Sequence, residues 1–582
     1  MVFKRLRAIL GTNDAAPAIA PDERVARTAE GSALLAAGRL DPAIAAFRAA
    51  LKLGAGNDAR LPLGFALWRS GRFEEACECL RTAVDVDGRC ADAHHLLALA
   101  LRDRGEFVPA ARHFSATIEI DPGLVEAHLH LVDVLAGSAS EQAASEAASR
   151  GLEACRAALE RAPADPQLHH SAGLFLRALG RREEAIASYG RALAARPAFP
   201  EALSNRGLVL QDLGRYDDAL TDHDAALRID PQLANAHGNR ANVLRELLRH
   251  EEALASYERA HALAPGLESL YLNESLSRLV LGDLRGGWPR YEWRWQGSGS
   301  ADPRKAFAQP MWLGREPLQG KTIFLHAEQG LGDTIQFCRY AREVADRGAK
   351  VLLGVQPALE PVLAGLDGVD RLLTPANELP PFDFHCPLLS LPLAFATSLE
   401  SIPNRGPYVR PSGEAFAAKA EAWEERLGPR RGPRVGIVWS GNANHRNDRN
   451  RSIPLTALLR EALPAGRFVA VQKELRPGDA ALLEGLPGTL QAAPWLGDFG
   501  DTAALLSRLD LLISVDTSVA HLAAAMGKPV GLLLPFNPDW RWLLDREDSP
   551  WYDSMRLFRQ TRLGDWSAPL AAVRAELARF LG

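Results

Sequence analysis

Small and apolar residues in the first half of the chain recur every 34 positions, as Ala185, Ala219 and Ala253 do. Three other kinds of residue keep this step: the prolines Pro197, Pro231 and Pro265, the glycine pairs Gly71 with Gly105 and Gly180 with Gly214, and the aromatic column Tyr189, His223, Tyr257 and Tyr291. A fixed period of this length is typical of stacked helix pairs. We therefore predict a helical repeat over residues 24–295.

Each unit predicts two helices joined by a turn. Glycine allows the tight turn, a small alanine lets two helices approach, and proline ends the second helix because it has no amide hydrogen. The step from Ala110 to Ala185 is 75 residues, longer than two periods, so region 138–149 should hold a longer loop or a helix extension. The pattern resembles the tetratricopeptide repeat, whose groove usually holds a peptide or partner helix. A purely structural or oligomerising array is the alternative.

The last repeat changes character at residues 287–295, where aromatic residues crowd one helix. We expect this helix to cap the array. Residues 296–300 read Gln-Gly-Ser-Gly-Ser, a flexible polar break. We predict a linker over 296–318, with Trp312 packed at the edge of the next domain.

From residue 322 the pattern becomes short apolar runs separated by helical stretches, which predicts α/β structure with parallel sheets. The predicted strands are 322–327, 350–355, 434–440, 468–473, 510–515 and 529–535. A charged helical stretch, 414–431, separates the first two strands from the rest. We predict two Rossmann-like lobes, 319–431 and 432–582, with ligands in the cleft at the carboxyl ends of the strands.

The first strand runs into a loop that contains Gly330, Gly332 and Asp333 and opens a helix. Glycines let the backbone approach a ligand. Asp333 has two interpretations of equal weight. It can cap the helix, or it can take a proton from an acceptor hydroxyl as a general base.

The loop after the strand at 434–440 is small, polar and basic. Its candidate ligand contacts are Ser440, Gly441, Asn442, Arg446, Arg449 and Arg451, with Lys473 at the end of the neighbouring strand. A guanidinium offers paired donors to phosphate or carboxylate. A basic loop that simply faces water is the alternative.

The third loop, after the strand at 510–515, is Asp516-Thr517-Ser518-Val519-Ala520-His521. Free amides at a helix start, together with the helix dipole, form a phosphate site. His521 follows Thr517 by four residues and Ser518 by three, so the three side chains should share one face. A buried core histidine is the alternative to a ligand contact.

The turn Gly330-Leu331-Gly332-Asp333 and the helix start at Asp516 make residues 312–560 resemble the heptosyltransferase-like glycosyltransferase family 9, which has the GT-B fold. The resemblance implies that Asp333 is the general base and that Asp516, Thr517, Ser518 and His521 hold the donor phosphates. The family commonly has glycine where this chain has Ser518, so the donor need not be a nucleotide diphosphate heptose.

The whole chain, with its repeats and the segments 312–314, 328–333 and 539–544, is also similar to bacterial tetratricopeptide glycosyltransferases that modify flagellin. This resemblance implies a nucleotide-activated nonulosonic acid as donor, commonly CMP-linked. Four arginines could then pair with the sugar carboxylate: Arg446, Arg449, Arg451 and Arg541.

The composition of the chain limits the kinds of binding partner that we expect. The chain has 582 residues, a formal net charge of -5, 47% hydrophobic residues and six cysteines without a CxxC pair. The charge gives no general reason to bind nucleic acid. No apolar run is long enough to span a bilayer, so we expect a cytoplasmic protein without a membrane span. The predicted lobes have no aspartate-x-aspartate motif at a strand end, and we expect neither a metal nor another cofactor.

We hypothesise an inverting, metal-independent protein O-glycosyltransferase, in which the repeats present a serine or threonine of a protein such as flagellin and Asp333 deprotonates it. One alternative keeps the chemistry but transfers sugar to a glycan or lipopolysaccharide, with the repeats as a docking platform. The other is a non-catalytic repeat adaptor with a degenerate transferase fold.

Overall fold

The computed structural model describes residues 23–137, 141–295, 307–444, 447–464, 467–486 and 488–581. The predicted hinge at 296–300, the first part of the predicted linker, 296–306, and Arg446 lie outside these residues. The chain divides into two compact units, of which one ends at Val243 and the other begins at Leu244.

The first half consists of paired helices. Their bounds are α1 Glu23–Ala36, α2 Leu40–Lys52, α3 Asn57–Arg69, α4 Phe73–Val86, α5 Ala91–Asp103, α6 Phe107–Ile120, α7 Val125–Gly137, α8 Glu141–Arg161, α9 Pro166–Ala178, α10 Arg182–Ala195, α11 Pro200–Asp212, α12 Tyr216–Ile229, α13 Ala234–Glu246, α14 His250–Leu263, α15 Glu268–Val280 and α16 Leu284–Tyr291. A 3-10 turn, Glu292–Trp295, follows α16. The division between the two compact units falls within α13.

The repeat pattern forms these elements as the sequence predicts. Ala185, Ala219 and Ala253 are fully buried, as expected of small residues where two helices cross. The insertion is a helix extension, since α8 has 21 residues where most repeat helices have 13 or 14. Leu248 occupies the turn position that glycine fills in other repeats and adopts φ +59°, a conformation that costs free energy in a non-glycine residue.

The second half contains two parallel sheets. Its elements are β1 Thr322–His326, α17 Leu331–Phe337, α18 Tyr340–Ala345, β2 Lys350–Gly354, α19 Glu360–Leu363, β3 Arg371–Leu373, β4 Phe384–Pro387, α20 Leu391–Ala394, α21 Glu414–Leu427, β5 Val435–Val438, α22 Asp448–Arg451, α23 Leu455–Ala457, β6 Phe468–Ala470, α24 Asp479–Glu484, β7 Leu490–Gln491, α25 Phe499–Ser507, β8 Leu511–Val515, α26 Ser518–Ala525, β9 Val530–Leu534, β10 Met555–Arg559 and α27 Ser567–Leu581.

The first sheet has four strands in the order β3-β2-β1-β4, and the second has six in the order β10-β9-β8-β5-β6-β7. All of their pairings are parallel. The strand order reverses between β1 and β4 in the first sheet and between β5 and β8 in the second. These switch points are where open α/β sheets bind ligands.

The sequence analysis missed β3, β4, β7 and β10. Two of them are too short for a periodic signal, since β3 has three residues and β7 has two. β10 lies at the edge of its sheet and reads Met-Arg-Leu-Phe-Arg, with its first arginine exposed. An edge strand needs less apolar sequence than a central one, so its pattern is weak.

The last repeats pack against both lobes within the second unit. The Trp288 indole donates a hydrogen bond to the Thr397 carbonyl at 2.9 Å in the first lobe. The same ring meets Trp540 of the second lobe edge to face, with centroids 5.3 Å apart. The aromatic stretch at 287–295 thus contacts both lobes in addition to ending the repeats. Trp312 is also buried, and its amide donates to the His385 carbonyl at 2.8 Å.

Among the described residues, no helix combines the length and apolar character needed to cross a membrane.

Candidate functional site

Two of the predicted loops meet at the switch point of the six-stranded sheet. The loop after β5 and the loop after β8 lie side by side because β5 and β8 are neighbours. Arg451 joins the two loops, since its Nη1 donates to the Asp516 carbonyl oxygen at 3.2 Å. The topology therefore brings together two groups of residues that are 65 positions apart in the sequence.

The helix start after β8 is capped by a hydroxyl side chain. Thr517 is the N-cap of α26, and its hydroxyl accepts the Ala520 amide hydrogen at 3.4 Å. Ser518 is the first residue of the helix. The first amides of a helix have no partner within it and concentrate positive potential at the terminus. Thr517, and not the preceding Asp516, therefore supplies the cap.

The loop after β5 begins with a buried hydroxyl and a close backbone approach. Ser440 is buried, and its Oγ has no hydrogen-bond partner in the part of the chain that the structure describes. A Cβ added to Gly441 would lie 2.4 Å from Nη2 of Arg451, so only glycine lets the guanidinium lie against this backbone. Ser440, Gly441 and Arg451 thus lie at one strand end, beside the start of α26.

Asp516 and His521 belong to a buried hydrogen-bonded chain. The Trp542 indole donates to Asp516 Oδ2 at 2.8 Å, and His521 Nε2 lies 3.5 Å from Asp516 Oδ1. On its other side, His521 Nδ1 lies 2.9 Å from the Tyr552 hydroxyl. Burial alone would raise the pKa of Asp516, but its contacts with His521 and Trp542 and the nearby Arg541 outweigh burial and lower it. The aspartate is therefore held as a carboxylate.

His521 is buried and makes both of these contacts through its ring nitrogens. In this structure it therefore positions Asp516 within the helix start. Its role as a contact to donor phosphate stays a prediction.

Asp333 lies at the switch-point edge of the four-stranded sheet. The Gly330 amide, at the N-cap of α17, donates to Asp333 Oδ2 at 2.8 Å. The other oxygen, Oδ1, accepts a hydrogen bond from Arg541 Nη2 of the second lobe. Asp333 thus caps its helix and also forms an ion pair between the lobes, with 21% of its side chain exposed.

Arg541 is buried, and carboxylates hold it on two sides. Its Nη1 donates to Asp539 Oδ1 at 2.9 Å, and its Nε donates to Gln336 Oε1 at 2.8 Å. Burial would lower the pKa of Arg541, but Asp539 and Asp333 raise it above its ordinary value. Arg541 therefore stays charged, and its donors bond to both lobes.

The helix starts of the two lobes come into direct contact. A Cβ added to Gly332 would lie 3.0 Å from His521 Cδ2 and 3.6 Å from Ser518 Cα. α17 and α26 therefore approach each other at their N-termini. This contact places the Asp333 loop of the first lobe beside the start of α26 in the second.

Other predicted residues lie farther from these contacts. Asn442 and Arg449 are exposed. Asn442 Oδ1 accepts the Asn444 amide hydrogen at 2.9 Å, which closes a turn within the loop. Lys473 is exposed, and its Nζ donates to the Gly497 carbonyl at 3.0 Å.

The sequence analysis missed the residues that support this site. Arg476 bonds to the buried Asp448 and, at 3.0 Å, to the Gly441 carbonyl. Gln472 donates to the Ser440 carbonyl at 3.0 Å and accepts from the Ser440 amide at 3.2 Å. Gln472 could have been predicted from the sequence, because it is a polar residue at the end of an apolar strand. No group of three or more metal-ligating side chains occurs within the described ranges.

Comparison with known families gives this geometry its context. The model for "Glycosyltransferase family 9 (heptosyltransferase)" matches residues 493–539, which contain β8, α26 and β9. Three tetratricopeptide-repeat models match residues 61–125, 173–214 and 199–266. The chain thus has segments similar to tetratricopeptide repeats, followed by a segment similar to glycosyltransferase family 9. The parallel sheets agree with an α/β glycosyltransferase domain after a helical repeat array.

Single proteins give more distant matches. Protein FlbA of Caulobacter vibrioides is 27% identical over 326 residues, which are 52% of this chain and 54% of FlbA. The chain thus spans about half the length of this curated relative. A tetratricopeptide-repeat protein from Parabacteroides merdae is 15% identical with a TM-score of 0.38, over 44% of this chain and 98% of that one. Pseudomonas aeruginosa pilF is 18% identical with a TM-score of 0.28, over 36% and 92%. TM-scores this low give no information about function.

Proposed function

We propose that this chain transfers a sugar from a nucleotide-sugar donor to a hydroxyl of an acceptor. One observation carries the proposal: the start of α26, at the switch point of the second lobe, faces the loop that bears Asp333, and Gly332 lies against His521 there. The helix start that would bind the donor phosphates and the carboxylate that would take the acceptor proton then lie next to each other. The family 9 match over residues 493–539 supports this use of the α26 loop.

In the proposed reaction the acceptor oxygen attacks the anomeric carbon from the face opposite the leaving group, so the configuration inverts. The bond between the anomeric carbon and the phosphate oxygen breaks, and its electron pair leaves with the nucleotide. The proton of the acceptor hydroxyl passes to Asp333. The α26 amides and Arg451 stabilise the charge that develops on the departing phosphate, without a metal ion.

Arg541 decides when Asp333 can act. Both oxygens of Asp333 already accept hydrogen bonds, Oδ2 from the Gly330 amide and Oδ1 from Arg541, so neither is free for an acceptor hydroxyl. We propose that the anionic donor draws Arg541 away from Asp333 and so frees an oxygen for the acceptor proton. A CMP-linked nonulosonic acid suits this exchange, because its sugar carries a carboxylate that can pair with Arg541 or Arg451.

We propose a protein acceptor, such as flagellin, bound by the repeats. The first compact unit contains a cavity of about 1280 Å³ between α7, α8 and α9. Its lining includes the apolar Leu129, Leu174 and Phe175 together with Asp133 and Arg177. Mixed apolar and charged walls suit an extended peptide. All six cysteines are free, which supports the reducing cytoplasm as the proposed compartment.

A donor trial tests the proposal. The purified protein is incubated with an acceptor, either flagellin or a glycan, and with one donor, either a CMP-linked nonulosonic acid or a neutral UDP-sugar. Mass spectrometry then follows the mass of each acceptor. A mass shift with the CMP-linked donor supports the full proposal. Transfer from a UDP-sugar alone overturns the proposed donor, and transfer to a glycan but not to protein overturns the proposed acceptor. If no donor is consumed and flagellin still binds, the adaptor alternative stands.

A further inference from the structure

The strand order of the four-stranded sheet reverses between β1 and β4. The side chain of Arg294, from the end of the repeats, lies between the loops that follow these two strands. Arg294, in the 3-10 turn after α16, is buried with 3% of its side chain exposed. Its Nη2 donates to both oxygens of Glu328, at 3.1 and 3.2 Å, and to Ser390 Oγ at 2.7 Å. Glu328 follows β1, and Ser390 follows β4.

Two carboxylates share this guanidinium. Arg294 Nη1 donates to Glu292 Oε1 at 2.6 Å, and the Ser390 hydroxyl bonds to the same glutamate at 2.9 Å. Glu328 Oε1 also accepts the Leu389 amide hydrogen at 3.0 Å. Only 4% of the Glu328 side chain is exposed. Removing Arg294 would therefore leave buried carboxylates without their cation, which is unfavourable.

Glu328 belongs to the loop that carries Asp333. Gln356, after β2, holds one side of this loop, since its Nε2 donates to the Gln329 carbonyl at 2.9 Å. Glu328 holds the other side, through Arg294 and the Leu389 amide. Asp333 lies five positions after Glu328, and the Gly330 amide between them bonds to the Asp333 carboxylate. The position of Asp333 thus depends on how firmly Glu328 is held.

We propose that Arg294 is a positioning residue for the transfer reaction, because it holds Glu328 and so fixes the Gly330–Asp333 loop. The final repeat is then a structural part of the catalytic unit rather than a docking platform. This inference rests on the proposed function for the role of Asp333. The structural part of the inference, that Arg294 orders the Gly330–Asp333 loop, does not depend on the proposed function.

The experiment compares full-length Arg294→Gln and Glu328→Gln with the wild type. Glu274→Gln is the matched control, since Glu274 is fully buried and bonds to Arg278 and Arg290 within the repeats. Hydrogen exchange of the amides at 328–334 is measured first. We expect at least tenfold faster exchange there in both site variants, while α26 amides and the Glu274→Gln control keep wild-type rates.

Steady-state transfer supplies the second measurement. The site variants should lose at least tenfold in kcat at an unchanged donor KM, and Arg294→Lys should recover part of the loss. Wild-type exchange at 328–334 in Arg294→Gln, or equally faster exchange in Glu274→Gln, overturns the inference. If Arg294→Gln does not fold, Glu328→Gln, which keeps the shape of the side chain, gives the same comparison. If exchange at 328–334 is faster in the site variants but the wild type transfers no sugar, the proposed function is refuted and the loop-ordering role of Arg294 is retained.

Discussion

Arg541 of the second lobe donates a hydrogen bond to Asp333 of the first, and this ion pair joins the two lobes at the candidate site. Asp333 therefore has a partner that its local sequence does not reveal. The mechanism depends on whether Asp333 acts as a general base or only as a helix cap.

Asp333→Asn tests the base directly. Asparagine keeps the size of the side chain but cannot take the acceptor proton, and general base catalysis contributes about 10²–10⁴-fold. We expect the single-turnover rate constant to fall by about 10²-fold or more, without any weakening of donor binding. Asp367→Asn is the control, since Asp367 lies in the same lobe and pairs with the exposed Arg342. A rate within twofold of the wild type would remove Asp333 from catalysis.

Arg451→Gln tests the phosphate contact. Charge-assisted hydrogen bonds contribute about 1.5–3 kcal/mol. We therefore expect the Kd for the donor, measured by calorimetry, to rise by about tenfold or more. Gly441→Ala should act in the same direction, because its Cβ would collide with the Arg451 guanidinium. The exposed Arg449, changed to Gln, is the control. Equal losses in both arginine variants would point to general charge rather than a specific contact.

Gly332→Ala tests the approach of the two lobes. The new methyl group would lie 3.0 Å from His521 Cδ2, so the loops must separate by a few tenths of an ångström. Because catalysis is sensitive to such displacements, we expect kcat to fall by about threefold to tenfold. Gly365→Ala, where a Cβ meets nothing within 4 Å, is the control. Unchanged turnover in Gly332→Ala would show that this contact is absent during the reaction.

Glu328 should make stability depend on pH. Burial raises the pKa of Glu328 from 4.5 to about 7, although Arg294 acts in the opposite direction. An acid whose folded pKa is raised contributes stability below its unfolded pKa, and this contribution is lost as pH rises through the folded value.

The full effect between pH 4.5 and 7 is about 3 kcal/mol. Glu328→Gln removes this group, so its urea midpoint, followed by tryptophan fluorescence, should fall less between pH 5 and pH 8 than that of the wild type. Parallel pH profiles for the two proteins would contradict the raised pKa. Glu274→Gln, measured in the same way, reports what loss of a buried glutamate does by itself.

The sequence alone determined the repeats, the six central strands and the three loops. Their signals are local: a 34-residue period, apolar runs, and glycine or hydroxyl residues at helix starts. Asp516–His521 were recognisable because a strand, a cap and a helix follow one another directly in the chain.

The partners of these residues were decided only by the tertiary structure. Arg541 lies 208 positions from Asp333, and Trp542 lies 26 from Asp516. Arg294 reaches Glu328 over 34 positions, from a different fold element. Side-chain contacts of this kind depend on strand order and on how the lobes and the last repeat pack. A single sequence therefore gives the chemistry of each loop, whereas packing decides which loops meet and which charges are paired.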